Sequence, residues 1–454
     1  MATPSLPASF RLTDPVDSIP AGAFSSLITV RPSSGSGPYK GGAVIDFDVP
    51  NRAWADPTSF SIRYTATVQT PILAAAAFTA MLGTPVYTPF QRVQVSCNNA
   101  VLDTISQANQ VFHVLTQGNL DVAAKFGRQA AYAYSPVVAA AAPSATTIQN
   151  LDGRVRYYAI NAAVDPAADV YTASAPLPCI LSNCKKMIPL FAMGAVRVTI
   201  TLDTIANMFL SAAAANATGL GNVAVVLPTD FTITNFELVY NMMDMGRDVE
   251  QMVKGMGPRV FLQSSSYSNS AVNIGAGVTG SNSYVFNQRL SSIRSAFILP
   301  TLSIGNKSYE FCDVTTNTGQ YSLTVGNQSF PSGTPLSTLN NKSGILQETY
   351  RAFKNIYDNG SMSIDTGEFA ITGQTALTGL SPYEPGKFIV GLNLCRVQNT
   401  DSCILSGIST FDSPISVNID NTAGNTLACG LNLLLDYDAV ITVDLESKQV
   451  SVRS

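Results

Sequence analysis

From Leu431 to Leu445 the chain reads LNLLLDYDAVITVDL, with Leu431, Leu433, Leu435, Tyr437, Ala439, Ile441, Val443 and Leu445 at every odd position. Unbroken alternation of this kind predicts a β-strand with one buried face. At about 3.3 Å per residue it would run roughly 50 Å, well beyond a usual strand of about 5–6 residues. Shorter alternating runs fill most of the remaining chain: GGAVIDFDVP, SFSIRYTATVQT, RVQVSC and AVRVTITLD, the last with Val196, Val198, Ile200 and Leu202 on one face. In FTITNFELVY, Phe231 and Ile233 hold one phase while Phe236, Leu238 and Tyr240 hold the other. A one-residue shift near Asn235 therefore predicts a β-bulge. Many short strands divided by Gly, Pro, Asn and Ser, with few helices, predict an all-β sandwich or barrel.

Two segments carry helical spacing instead. SQANQVFHVLTQGN sets Ala108, Val111, Phe112 and Leu115 on one face, with Ser106 as N-cap and Gly118 as stop. SGILQETYRAFKNIYDNG sets Leu346, Tyr350, Phe353 and Tyr357 on a stripe between Ser343 and Gly360. Each helix follows an alternating strand (RVQVSC; YSLTV) and precedes a loop-rich stretch, a late strand (AVRVTITLD; SPISVNID) and a long last strand. The order of elements thus occurs twice. Val198 to Val417 spans 219 residues and Phe236 to Leu435 spans 199, so the copies share a fold rather than a strict repeat. Between them NMMDMGRDVEQMVKGMGP predicts a short helix stopped at Pro258. The expected division is an N-terminal arm over 1–38, a first unit over 39–245, a linker over 246–257 and a second unit over 258–454. The Ala-rich runs ILAAAAFTA, SPVVAAAAPSATT and LSAAAANATG lack an apolar stripe and read as long neutral loops of the first unit.

Composition changes this picture in one respect. Hydrophobic residues make up 46% of the 454 residues but charged residues only 12%, about half the usual share. A surface so poor in charge is expected to meet another protein chain. The net charge is −4 from 26 basic and 30 acidic residues, with no basic cluster, so no direct nucleic-acid ligand is expected. The first 26 residues hold one Arg and two Asp and lack a basic start followed by an apolar core, so no signal peptide is expected. No apolar run approaches 18 residues, so no transmembrane helix is expected. Seven scattered cysteines fit reduced thiols of a protein made inside a cell.

A search for chemistry assigns no catalytic, cofactor-binding or metal-ligating residue. His113 is the single histidine and lies off its helix's apolar stripe, which suits a surface or hydrogen-bonded role. GSGPYKGG has glycines but no Lys-Ser/Thr entering a helix, and reads as a flexible turn. Cys179 and Cys184 lack the second pair that structural zinc needs. Asp436, Asp438 and Asp444 share the even face of the last strand and could hold calcium with a neighbour's oxygens. The preferred reading is a polar strand face, exposed or hydrogen-bonded to the next chain. Without a site, an apolar and strand-rich chain reads as a structural protein, not an enzyme.

KFIVGLNLCRVQNTDSCILSGISTFDSPISVNID, followed by LLLDYDAVITVDLESKQVSV, resembles the end of the double jelly-roll major capsid proteins of tailless icosahedral DNA viruses, among them virophages, polinton-like viruses and relatives of the nucleocytoplasmic large DNA viruses. KKMIPLFAMGAVRVTITLD resembles the loop and late strand of that family's first jelly roll. The resemblance implies two consecutive eight-stranded jelly rolls with a few short helices, so that the two units become the first and second rolls. It also implies a homotrimer of pseudo-hexagonal shape that assembles with neighbouring capsomers, and with minor capsid and penton proteins, into a virion shell. It carries no catalytic residue. A rival is a cell-surface β-sandwich adhesin or surface-layer subunit, which would bring an export signal or a Thr-rich or calcium-rich array. A carbohydrate-active sandwich enzyme would need a carboxylate pair in an aromatic cleft, for which Trp54, the single tryptophan, offers little.

Overall fold

The computed structural model describes residues 23–69, 77–81, 83–119, 129–133, 156–159, 168–209, 224–225, 227–255, 257–302, 319–338, 342–356, 388–396, 405–421 and 429–454. Among the described residues, eight strands build the two main sheets of the first unit: β1 (Phe24–Val30), β2 (Val44–Val49), β3 (Ser61–Gln69), β4 (Phe90–Cys97), β5 (Ala100–Ser106), β6 (Ala168–Pro176), β7 (Val196–Leu202) and β8 (Asp230–Asp244). They make two sheets, β1-β8-β3-β6 and β2-β7-β4-β5, the first widened by the short strands Tyr39–Lys40, Trp54–Ala55 and Ile188–Pro189. Eight more form the second unit: β9 (Arg259–Ile274), β10 (Gly280–Phe286), β11 (Ile293–Leu302), β12 (Gln320–Val325), β13 (Gln328–Phe330), β14 (Val390–Asn393), β15 (Ile415–Asn421) and β16 (Cys429–Asp444). Their sheets are β9-β16-β11-β14 and β10-β15-β12-β13. Adding eight to each strand number turns the first pair of sheets into the second. Each unit pairs first strand with last and second with seventh, the wrapped order of a jelly roll.

The helices repeat as well. α1 (Ala108–Asn119) follows β5, and α3 (Lys342–Lys354) follows β13. Between the rolls lies α2 (Arg247–Gly255), the helix expected in the linker. A last short strand, β17 (Val450–Arg453), pairs with the end of β16.

Alternation becomes packing as the pattern requires. Val196, Val198, Ile200 and Leu202 of β7 are all buried. Asn235 takes a left-handed φ of 50° and the register against β3 shifts between Thr234 and Glu237, which is the bulge that moves the inward row from odd to even. Phe236, just beyond it, meets Phe47 edge-on at 5.1 Å and stacks on Phe90 at 5.8 Å. The odd row of β16 is buried from Leu431 to Val443.

Several expectations need correction. Residues 24–30, expected within an arm, are β1, paired from Phe24↔Asp244 to Val30↔Leu238. Ser106 ends β5 instead of capping α1, because Gln107 turns the chain with φ 51° and its carbonyl accepts the first helical bonds, from Gln110 and Val111. Gly118 does not stop α1; it lies inside the helix. In α3 the buried residues are Ile345, Thr349, Ala352 and Phe353, whereas Tyr350 is exposed. The expected stripe was rotated because Thr349 counts as polar, yet its hydroxyl is satisfied by the Ile389 carbonyl at 3.1 Å. Ser343 lies within α3, while Tyr357 and Gly360 fall outside the described residues. The end of the first Ala-rich run lies in a strand, Ala77–Met81, paired with Arg156–Ala159 and Ala224–Val225. The other two runs lie outside the described residues.

Candidate functional site: the seam between the rolls

β9 is the outer strand of its sheet, and an open strand edge carries unpaired backbone groups that need a partner. The first roll supplies it. The Lys185 amide donates to the Gln263 carbonyl at 3.0 Å, and Asn183 Nδ2 donates to the Ser265 carbonyl at 2.9 Å. Ser264 Oγ donates back to the Ile180 carbonyl. The segment after β6 thus seals the edge of the second roll.

At the centre of this seam lies Asp103 of β5, about 5% exposed. Its Oδ2 accepts from Ser266 Oγ at 2.6 Å and from the Ile180 amide at 3.2 Å, and its Oδ1 from the Tyr437 hydroxyl at 3.4 Å. One carboxylate therefore joins three distant stretches of chain. Burial pushes its carboxyl up to about 6, although these donors pull the other way. Farther along the seam, Asn98 accepts from the Ala195 amide at 2.9 Å and donates to the Lys448 carbonyl at 3.0 Å. Asn269 donates to Gln107 Oε1 at 2.8 Å.

The two helices also meet. A Cβ at Gly118 would fall 2.2 Å from the ring of Phe353, so only glycine lets α1 lie against α3 there. Phe353 also packs on Phe297 of β11, with ring centroids 4.6 Å apart.

The even row of β16 differs from expectation. Asn432, Leu434, Asp436 and Asp438 are buried, so the aspartates do not present a polar face to solvent or to another chain. Arg294 Nη2 donates to Asp436 Oδ1 at 2.7 Å, its Nε lies 3.5 Å from Asp438 Oδ1, and Ser292 Oγ donates to Asp438 Oδ2 at 2.7 Å. Burial raises Asp436 against the pull of Arg294. Asp444 stands apart, accepting from the Glu446 and Ser447 amides in the turn before β17. The three aspartates therefore do not form one ligand set. The Arg294 guanidinium lies between Asp436 and Asp438, where a shared calcium ion would have to sit.

His113 is buried, with Nδ1 2.9 Å from Thr84 Oγ1, which makes it a hydrogen-bonded core residue and not a surface one. Cys179 and Cys184 are buried thiols, the second donating to the Ile180 carbonyl at 3.3 Å. Trp54 packs edge-on against Phe191 at 5.2 Å. Among the described residues no helix is long and apolar enough to cross a membrane. Large apolar side chains left at the surface include Phe24 and Leu27 on β1, Met252 on α2 and Phe261 on β9.

Asp103, Ser266 and Arg294 escaped the sequence reading. A faint signal exists for Arg294, a lone charge opening the apolar run IRSAFILP in a chain short of charge. For Ser266 it is the serine-rich strand QSSSYSNS. Nothing local marks Asp103.

No family model matches the chain, and no curated protein matches it. Solved structures do. A chain of the Sputnik virophage is 13% identical, with 100% of this chain and 93% of that one covered, at TM-score 0.55. The Faustovirus major capsid protein is 11% identical over 94% and 92% at TM-score 0.57, and the mavirus major capsid protein 11% identical over 100% and 95% at 0.54. Likeness of this kind establishes architecture. The chain is a double jelly roll, the fold of the viral major capsid proteins it resembles.

Proposed function

We propose that this protein is a major capsid protein, a structural rather than catalytic component of a virion shell. The observation that carries the reading is the duplication itself. Two rolls with identical strand order stand side by side in one chain, fixed by a sealed strand edge and a buried carboxylate. A rigid pair of similar wedges is suited to closed rings. Three chains give six wedges and a pseudo-hexagonal block able to tile a shell, whereas two give four. The low charge agrees with dry faces between chains. Neighbouring capsomers, minor capsid proteins and penton proteins would be the further partners. For the domains we propose a first roll beginning at Phe24, a linker over 246–257 and a second roll from 258 to 454. The adhesin reading is not favoured, since the full-length structural likeness runs to capsid proteins. Negative-stain microscopy of the purified protein tests the proposal: hexagonal particles are expected, and elongated or branched surface arrays would reject it.

A further inference from the structure

We propose that Asp103 is a proton-operated latch between the two rolls, closing the seam more tightly as pH falls from 8 to 5. The geometry supports this directly. The carboxylate is buried where the first roll meets the second, and its three donors come from Ile180, Ser266 and Tyr437. Among the described residues no cation acts on it. The titratable groups facing it are Cys179 from the segment after β6 and Tyr437 from β16, and its charge acts on both to hold them neutral. Tyr267 of β9 and the Arg294–Asp436–Asp438 cluster lie farther along the second roll.

An ionised carboxylate in this position is therefore desolvated without a counter-charge, which is costly even with good donors. The closed seam accordingly holds a proton more tightly than the open one, the carboxyl rising from 3.8 to about 6. Linkage fixes the sign. The stabilisation is fully present below pH 4 and is lost as pH rises through about 6. Between pH 8 and pH 5 it amounts to about a ten-fold change in the closed-to-open ratio.

Hydrogen exchange on the intact protein tests the latch. After allowing for the intrinsic pH dependence of exchange, amides in 177–185 and 259–268 should gain about ten-fold protection at pH 5 over pH 8. Amides in β7, and in β15 of the second roll that also holds Asp436, should gain much less. In Asp103→Asn, a neutral isostere, the seam should lose the ten-fold gain. Seam and β15 amides tightening together would overturn the proposal and assign the effect to the second roll's own stability through Asp436. An unchanged wild-type seam would also overturn it, whether or not Asp103→Asn folds, and so would a variant that keeps the wild-type slope.

Discussion

Leu435 and Asp436 are neighbours on β16, face opposite ways, and are both fully buried. The first belongs to the apolar row that alternation makes obvious. The second is buried because Arg294, 142 residues earlier, crosses to meet it, and no local pattern reveals a partner so far away. An aspartate in an alternating strand reads as exposed until its counter-ion is found. Leu435→Asp should prevent the second roll from folding, because its new carboxylate has no partner; recovery of soluble, protease-resistant protein would contradict that. Arg294→Met should cost about 3–5 kcal/mol by stranding two buried carboxylates, measured as a lowered denaturant midpoint. An unchanged midpoint would mean that the cluster is open to water in solution. Asp438 belongs to the same cluster, so its replacement by Asn is expected to destabilise the roll as well.

Among the elements, the strands were the legible part. Val196 to Leu202, the bulge at Asn235 and the long β16 all follow from period-two alternation, which records burial on one face directly. Helix phase and strand edges were not legible, because contacts from elsewhere in the chain set them. Thr349 points inward since the Ile389 carbonyl is there to receive it, and Phe24–Val30 becomes a strand since β8 is long enough to extend beside it. Gly118 shows the same limit. Near the end of a helix, glycine normally signals a stop, but here it makes room for a ring from the other roll. Gly118→Val should therefore destabilise the contact between α1 and α3 by about 1–3 kcal/mol through overpacking. Phe353→Leu in the same chain should restore part of the loss. Equal destabilisation with and without the second change would show that the ring is not the obstacle.

For the whole molecule, the duplication was legible as an order of elements, and the seam was not, since its residues carry no periodic signal. Hydrogen bonds across the seam tie the two rolls to each other. The sequence is short of charge and has no run of basic residues, so gel-shift titration at low salt should give no tight complex with DNA or RNA. Submicromolar binding would mean that folding gathers scattered Lys and Arg into a phosphate-binding face. The proposed capsid role requires three chains to close into one capsomer. Static light scattering on the purified protein measures this: three times 48.0 kDa predicts about 144 kDa, with little monomer on dilution to micromolar concentration. A single stable species near 48.0 kDa would contradict it.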